Sequence, residues 1–351
     1  MATRRAFFGL AAGAAALASG VLPARAATPG LMSAAHLKGA EGGMVWRDGA
    51  ASPFALPARG HALSRFAGGK VVVVGRRPGL FSAILDPARL DAPVQAFAAS
   101  QGNRFAGHAA VAADLLVTGE FDAASVRAVL VSRDPATGAE RAKWALDGIE
   151  PHELLFADGR VFVALGGLVK DGGVAGPAVN DGPLDSAVVE VDPKSGRVLA
   201  RHAAGRAFAS LSLRHLAIAA DGTIAVAAQD QDLSEPRPLV GLIAPGATLE
   251  MLAMPREAGL RGYVGAVAFD AKGELIAAAS PRGGVVGIWT RDGWHGAIPI
   301  ADACGIAADV QAGIFWVSSG HGGVYRVDAR ALAILAEWHG APGFDNHMIV
   351  V

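Results

Sequence analysis

Arg59-Gly60-His61, Gly107-His108, Pro151-His152-Glu153, Arg214-His215, Tyr263-Val264-Gly265, Asp302-Ala303-Cys304-Gly305 and Asp345-Asn346-His347 are seven forms of one short polar anchor. Each precedes a run of small apolar residues, and five of them carry a histidine. The steps between successive anchors run from 40 to 63 residues. Repeats of that length mark a β-propeller with one blade per repeat. Seven anchors predict an all-β, seven-bladed β-propeller.

A second periodic signal has the same phase. After each anchor come two short apolar strands, a third strand and a turn. The turns are Asp86-Pro87, Asp134-Pro135, Asp192-Pro193, Pro245-Gly246, Asp292-Gly293 and Asp328-Ala329. Aspartate presets a turn through its side chain and proline fixes φ, so these dipeptides punctuate strands.

The last anchor leaves room for one strand only, Met348–Val351. The missing strands of that blade come from Met32–His36, Gly43–Trp46 and Pro53–Leu56. The last blade is therefore closed by both termini, which removes an exposed edge. In blade one the strands are placed at Ala62–Phe66, Lys70–Gly75 and Leu80–Leu85. In blades two and four the first strands are placed at Ala109–Ala112 and Leu216–Ala219, directly after the histidines.

The chain has 351 residues, 52% hydrophobic and 18% charged, with 46 glycines. That supports a large core cut by many tight turns. The formal net charge is −1, and no basic stripe exists. Nucleic acid is therefore not an expected partner. Residues 1–26 read as a targeting segment: Arg4-Arg5-Ala6-Phe7-Phe8, an Ala/Gly-rich apolar stretch, then Ala24-Arg25-Ala26 as a small-x-small cleavage pattern. The paired arginines resemble a twin-arginine signal, an export route for folded proteins. Cleavage removes Arg4, Arg5 and Arg25 and brings the net charge to about −4. The expected product is a periplasmic propeller spanning residues 27–351, with no membrane span. Cys304 is the single cysteine, so no intrachain disulfide exists.

One face of the propeller is chemically rich. It holds the anchors, Arg76-Arg77-Pro78-Gly79, Glu120-Phe121-Asp122, Gln229-Asp230-Gln231-Asp232, Ser280-Pro281-Arg282-Gly283-Gly284 and the insertion 167–186. That insertion is expected to lie over the anchor face. The opposite loops, such as Gly68-Gly69 and Ala220-Asp221-Gly222, are bland. Binding residues gather on loops held by a rigid scaffold.

His61, His108, His152, His215 and His347 occupy corresponding positions in their blades and are expected to converge on the axis. Imidazole ligates iron, copper, zinc and nickel, and Glu153 beside His152 can ligate or orient. Three roles stay open for these histidines: structural bonds within a blade, a metal or haem site, and a site for an organic ligand. Arg59, Arg76, Arg77, Arg261 and Arg282, with Tyr263 and Asn346, make a second candidate set. Guanidinium forks suit carboxylate, phosphate, a metal chelate or haem propionates. The expected ligand is thus a small anionic or metal-bearing molecule. No G-x-S-x-G elbow, C-x-x-C-H haem motif, phosphate loop or dinucleotide fingerprint occurs.

Arg59-Gly60-His61, Arg76-Arg77-Pro78-Gly79, Pro151-His152-Glu153-Leu154, Leu213-Arg214-His215-Leu216, Arg261-Gly262-Tyr263-Val264-Gly265, Ser280-Pro281-Arg282-Gly283-Gly284 and Asp345-Asn346-His347 together resemble domain-of-unknown-function family 1513. These are exported bacterial proteins of similar length. Gly119-Glu120-Phe121-Asp122 departs from the more polar loop that the resemblance leads one to expect. Members are often encoded beside imelysin-like and di-haem periplasmic proteins. The resemblance therefore implies a context of iron uptake and an imelysin-like partner. The leading expectation is a non-enzymatic accessory in iron or other metal handling. The alternatives are a propeller enzyme of the lactonase or quinoprotein-like type, and a pure protein-interaction platform.

Overall fold

Seven four-stranded antiparallel sheets surround one axis in the computed structural model, which describes residues 30–169, 180 and 182–351. The expected export signal and residues 170–179 and 181 of the insertion lie outside the described residues. No helix among the described residues is long and apolar enough to cross a membrane.

The innermost strands are Gly60–Arg65, Asn103–Ala112, Pro151–Ala157, Leu211–Ile218, Ala266–Phe269, Ala303–Ala308 and Gly343–Val350, in blades one to seven. Each begins a sheet that continues outward in chain order, except in the seventh blade. There the C-terminal strand is innermost, and Leu31–Leu37, Ala40–Arg47 and Ala50–Ala55 complete the sheet. Leu31 pairs with Val350, Met32 with Ile349 and Ser33 with Met348, as the closure reading required.

Burial explains the composition of the strands. A second strand is covered on both faces by neighbouring blades, so it is built mainly of apolar residues. Val71–Gly75 and Leu275–Ser280 are buried at every position. An outermost strand meets water along its free edge, and Gln95–Ala98 is mostly exposed. The turns behave as read: Asp134 Oδ1 accepts from the amides of Ala136 (2.9 Å) and Thr137 (2.8 Å), and Asp192 from that of Lys194 (2.9 Å). Trp46, Trp316 and Trp338 stack with ring centroids 5.0–5.7 Å apart where blade seven meets blade six.

Two kinds of placement differ from expectation. The innermost strands of blades two and four start at Asn103 and Leu211, well before their histidines, so the anchors lie inside strands. Glu120 belongs to strand Leu115–Asp122 rather than a loop and is fully buried. It accepts from the Ser100 amide (2.9 Å), Asn103 Nδ2 (3.0 Å) and Thr118 Oγ1 (3.0 Å), and pairs with buried Arg133. Thr, Asn and Arg supply the donors a buried carboxylate requires, and this is a structural network of blade two.

Candidate metal centre

Six of the seven innermost strands carry a β-bulge, and the anchors are those bulges. In blade one, His61 and Ala62 lie between the pairs Gly60–Gly75 and Leu63–Val73. Blade three inserts His152 and Glu153 between Pro151–Leu165 and Leu154–Val163. Blade six inserts Cys304 and Gly305 between Ala303–Ser319 and Ile306–Val317. Blade two inserts Ala106, Gly107 and His108, and blade seven inserts Asp345, Asn346 and His347. In blade four Arg214 is extra, ahead of the pair His215–Ala227. Blade five pairs regularly from Ala266 onward. A bulge re-aims side chains and bends its strand, which is how polar groups here reach an axis otherwise lined by apolar strands. Gly107 shows how tight the bulge is: its φ is +111°, and a Cβ there would stand 2.8 Å from the His61 ring.

The bulges sort the anchor residues into two rings. The first ring holds His61, His152, Arg214, Cys304 and Asp345. The second, one step further along the strand in blades one, three, four and six and two steps further in blade seven, holds Ala62, His108, Glu153, His215, Gly305 and His347. The histidines therefore do not share one position, as the repeat alone suggested. Two lie in the first ring and three in the second.

Hydrogen bonds run within each ring. In the first, His61 Nδ1 donates to Asp345 Oδ1 (3.0 Å) and Arg214 Nη2 donates to His152 Nδ1 (3.2 Å). In the second, Glu153 Oε2 lies 3.2 Å from His215 Nδ1 and accepts from the Leu216 amide at 3.1 Å. Its other oxygen is 4.0 Å from His108 Nδ1. All five imidazoles are buried and in contact: centroids are 4.5 Å apart for His108–His347, 4.7 Å for His61–His347 and 4.8 Å for both His108–His152 and His152–His215. None of these bonds is the bond within a blade that a structural histidine makes.

Burial pushes His108, His152, His215 and His347 well below the ordinary imidazole value; neighbouring rings add to the effect, as do arginines for the first three, while Glu153 and Asp345 partly oppose it at His347. These four are neutral at pH 7, the form that binds metal. Glu153 moves the other way, its carboxyl raised by burial. For Asp345 burial also works upward, but the hydrogen bond and charge of His61 and the nearby Arg76 hold it far below the usual carboxylate range.

One ring nitrogen from each of His108, His215 and His347 lies within 4.8 Å of the others, and the same holds for His61, His108 and His152. Hydrogen bonding separates the two sets. Arg214 can only donate, so the lone pair of neutral His152 is on Nδ1 and its proton is on Nε2. His152 thus turns an N–H into the cluster. In the second ring, Nε2 of His108 and Nε2 of His347 are buried without a hydrogen-bond partner. Glu153 takes the Nδ1 proton of His215 and leaves its Nε2 free to ligate, the arrangement common behind metal-bound histidine. A cavity of about 90 Å³ adjoins this ring, lined by His108, Glu153, His347, Ala62, Leu63 and Met348 among others. Tetrahedral ligation at about 2.0–2.1 Å places nitrogens roughly 3.3 Å apart, so the rings must draw in by about an ångström. The donor set, the orphaned nitrogens and the cavity fit a transition-metal ion.

The arginines surround the mouth above. Arg59 and Arg76 both bond Asp345, at 2.8 and 3.1 Å. Arg77 and Arg214 both pair with Glu150, the latter at 2.9 Å. Arg282 stacks 4.5 Å over the Tyr263 ring, and Asn346 Nδ2 donates to Tyr263 Oη at 3.4 Å. Arg261 stands apart, lining a separate cavity of about 400 Å³ with Leu233, Arg237 and Arg256. The stem of the insertion reaches the same mouth, because the Leu168 amide donates to Glu150 Oε2 at 3.1 Å. Cys304 is held off the second ring. Its buried thiol faces Asp302, and burial pushes it up to about 12.

Sequence reasoning did not select Arg214 or Glu150. Arg214 was visible inside an anchor, but nothing in its spacing distinguished it from a surface arginine. Glu150 precedes its anchor at a positive φ of 57°, which no motif announces.

Fold and site together define a seven-bladed β-propeller with a buried histidine cluster on its axis. Residues 54–351 match the family described as Protein of unknown function (DUF1513), and the chain belongs to that family. No curated protein matches the chain.

Proposed function

We propose that this protein binds one divalent transition-metal ion on the propeller axis through His108, His215 and His347. Glu153 orients His215, and the protein serves as a non-enzymatic accessory of metal handling. The observation that carries the reading is the pair of orphaned nitrogens. An unsatisfied buried polar atom costs about 1–3 kcal/mol. Two in one ring, beside a histidine already oriented by a carboxylate, are accounted for at once by a shared cation.

The donor set supports iron, copper, zinc or nickel, and copper(II) will bind most tightly in vitro whichever metal serves in the cell. The cavity of about 90 Å³ favours an ion with a few waters over a haem. A twin-arginine leader would carry the folded, loaded protein to the periplasm. The family resemblance supports an iron context and an imelysin-like partner.

The test is elemental analysis of protein exported by its own leader, with titration of iron, copper and zinc into stripped protein. One equivalent of metal, lost in His108→Ala and His347→Ala, is the expected result. Metal-free protein whose weak affinity is unchanged by those substitutions would leave an interaction platform as the better account.

A further inference from the structure

The mouth above the histidines holds more positive charge than the structure neutralises. Four guanidiniums, those of Arg59, Arg76, Arg77 and Arg214, are shared between two carboxylates, Asp345 and Glu150. Arg282 adds a fifth cation, and among the described residues its recorded contact is the Tyr263 ring, not a carboxylate. Asp345 is saturated. Its two oxygens accept from Arg59 Nε and Nη2, Arg76 Nη1, His61 Nδ1 and the Asn346 amide. The remaining N–H groups of Arg59 and Arg76 cannot be satisfied there. Those side chains are 39% and 41% exposed, so the unused donors face the solvent at the mouth.

Like charges held together in a partly dry site repel, and the repulsion is relieved by an anion placed between them. A guanidinium fork matches the plane of a carboxylate better than a point charge does. The free donors come from blades one and five and from the approach to blade one. Three guanidiniums from separate segments suit a molecule with several carboxylates better than one small monoanion.

We infer that the mouth is a binding site for a small polycarboxylate, held by Arg59, Arg76 and Arg282, which brings the metal to the histidines as an anionic chelate. Delivery rests on the metal reading above; the carboxylate site does not. A chelate docked on the arginines places its metal directly over the first ring.

Citrate is the probe, titrated calorimetrically into metal-free protein beside inorganic phosphate. Citrate should bind one to one, and phosphate at least tenfold more weakly. Arg282→Gln, a change at an exposed residue outside any packed core, should weaken citrate at least tenfold, the scale of one charge-assisted contact. Arg59→Gln with Arg76→Gln should do the same. His108→Ala should leave citrate within twofold while abolishing binding of bare zinc, so the two readings fail separately. Absent citrate binding, equal affinity in Arg282→Gln, or phosphate binding as tightly as citrate would overturn the inference.

Discussion

The hydroxyl of Ser33 donates to the carbonyl oxygen of His347 at 2.6 Å, across 314 positions of the chain. One bond therefore ties the seal of the ring to a residue of the axial cluster. Closing the propeller and assembling the cluster are one event, because the strand that seals the ring brings Asp345 and His347 with it.

Deleting 345–351 should accordingly do two things. It removes the innermost strand of blade seven and bares the edge of Leu31–Leu37, a template for intermolecular pairing. It also strips the partner of His61. Light scattering should show association, and the thermal transition should fall by many degrees. A truncated chain that stays monomeric with an unchanged transition would show that the seal is not structural.

The two rings predict unequal histidines. His215→Ala should lower metal affinity at least a hundredfold, since it removes a ligand already oriented by Glu153. His152→Ala should lower it less than tenfold, because that ring presents an N–H. Equal losses in a calorimetric titration would mean that Arg214 does not set the His152 tautomer.

Glu153→Gln tests orientation apart from ligation. The amide keeps the shape but changes the partner offered to His215. Loss of a carboxylate behind a metal-bound histidine typically lowers affinity ten- to a hundredfold. Circular dichroism and the thermal transition of the metal-free variant should stay near wild type. A change below threefold in affinity would remove Glu153 from the site.

Stability of the metal-free protein should collapse in mild acid. In the folded state His108, His152, His215 and His347 stay neutral well below their ordinary value. Unfolded, they titrate near pH 6.5. Below that pH the unfolded chain binds more protons, so stability is present above pH 6.5 and is lost as pH falls. Each imidazole contributes a slope of up to about 1.4 kcal/mol per pH unit. Glu153 opposes them: its raised folded value destabilises the protein progressively as pH rises above its unfolded value. The net result is a melting temperature that falls steeply between pH 7 and pH 5. Scanning calorimetry should show it, and His108→Phe with His347→Phe should flatten the slope. A melting temperature constant over that range would contradict neutral burial.

The architecture was legible because its signals are local and repeat. Asp-Pro turns, apolar strand pairs and a lone C-terminal strand placed seven blades and their closure correctly. The two rings were not legible, because they depend on how many residues each bulge inserts. Gly60-His61-Ala62-Leu63 and Gly107-His108-Ala109 look alike in sequence. Only the pairing of Leu63 with Val73 and of Ala109 with Thr118 shows that their histidines differ by one step. Glu120 misled for a related reason. Its polar neighbourhood read as a loop, while its partners, Asn103 and Arg133, are 17 and 13 positions away.

The bulges have a consequence for how such a frame can diversify. Each delivers its side chains to the axis from the innermost strand alone, so the contents of the centre can vary with that strand while the three outside it keep their pairing. Blade six is shut to larger groups, since a Cβ on Gly305 would stand 2.6 Å from that of Met348. Ala62 is different: it is small, it lies in the second ring, and it borders the cavity beside His108 and His347. A single codon change there would give the centre a fourth donor. One substitution at one blade of this propeller would then change the chemistry of the centre and leave the other six blades as they are.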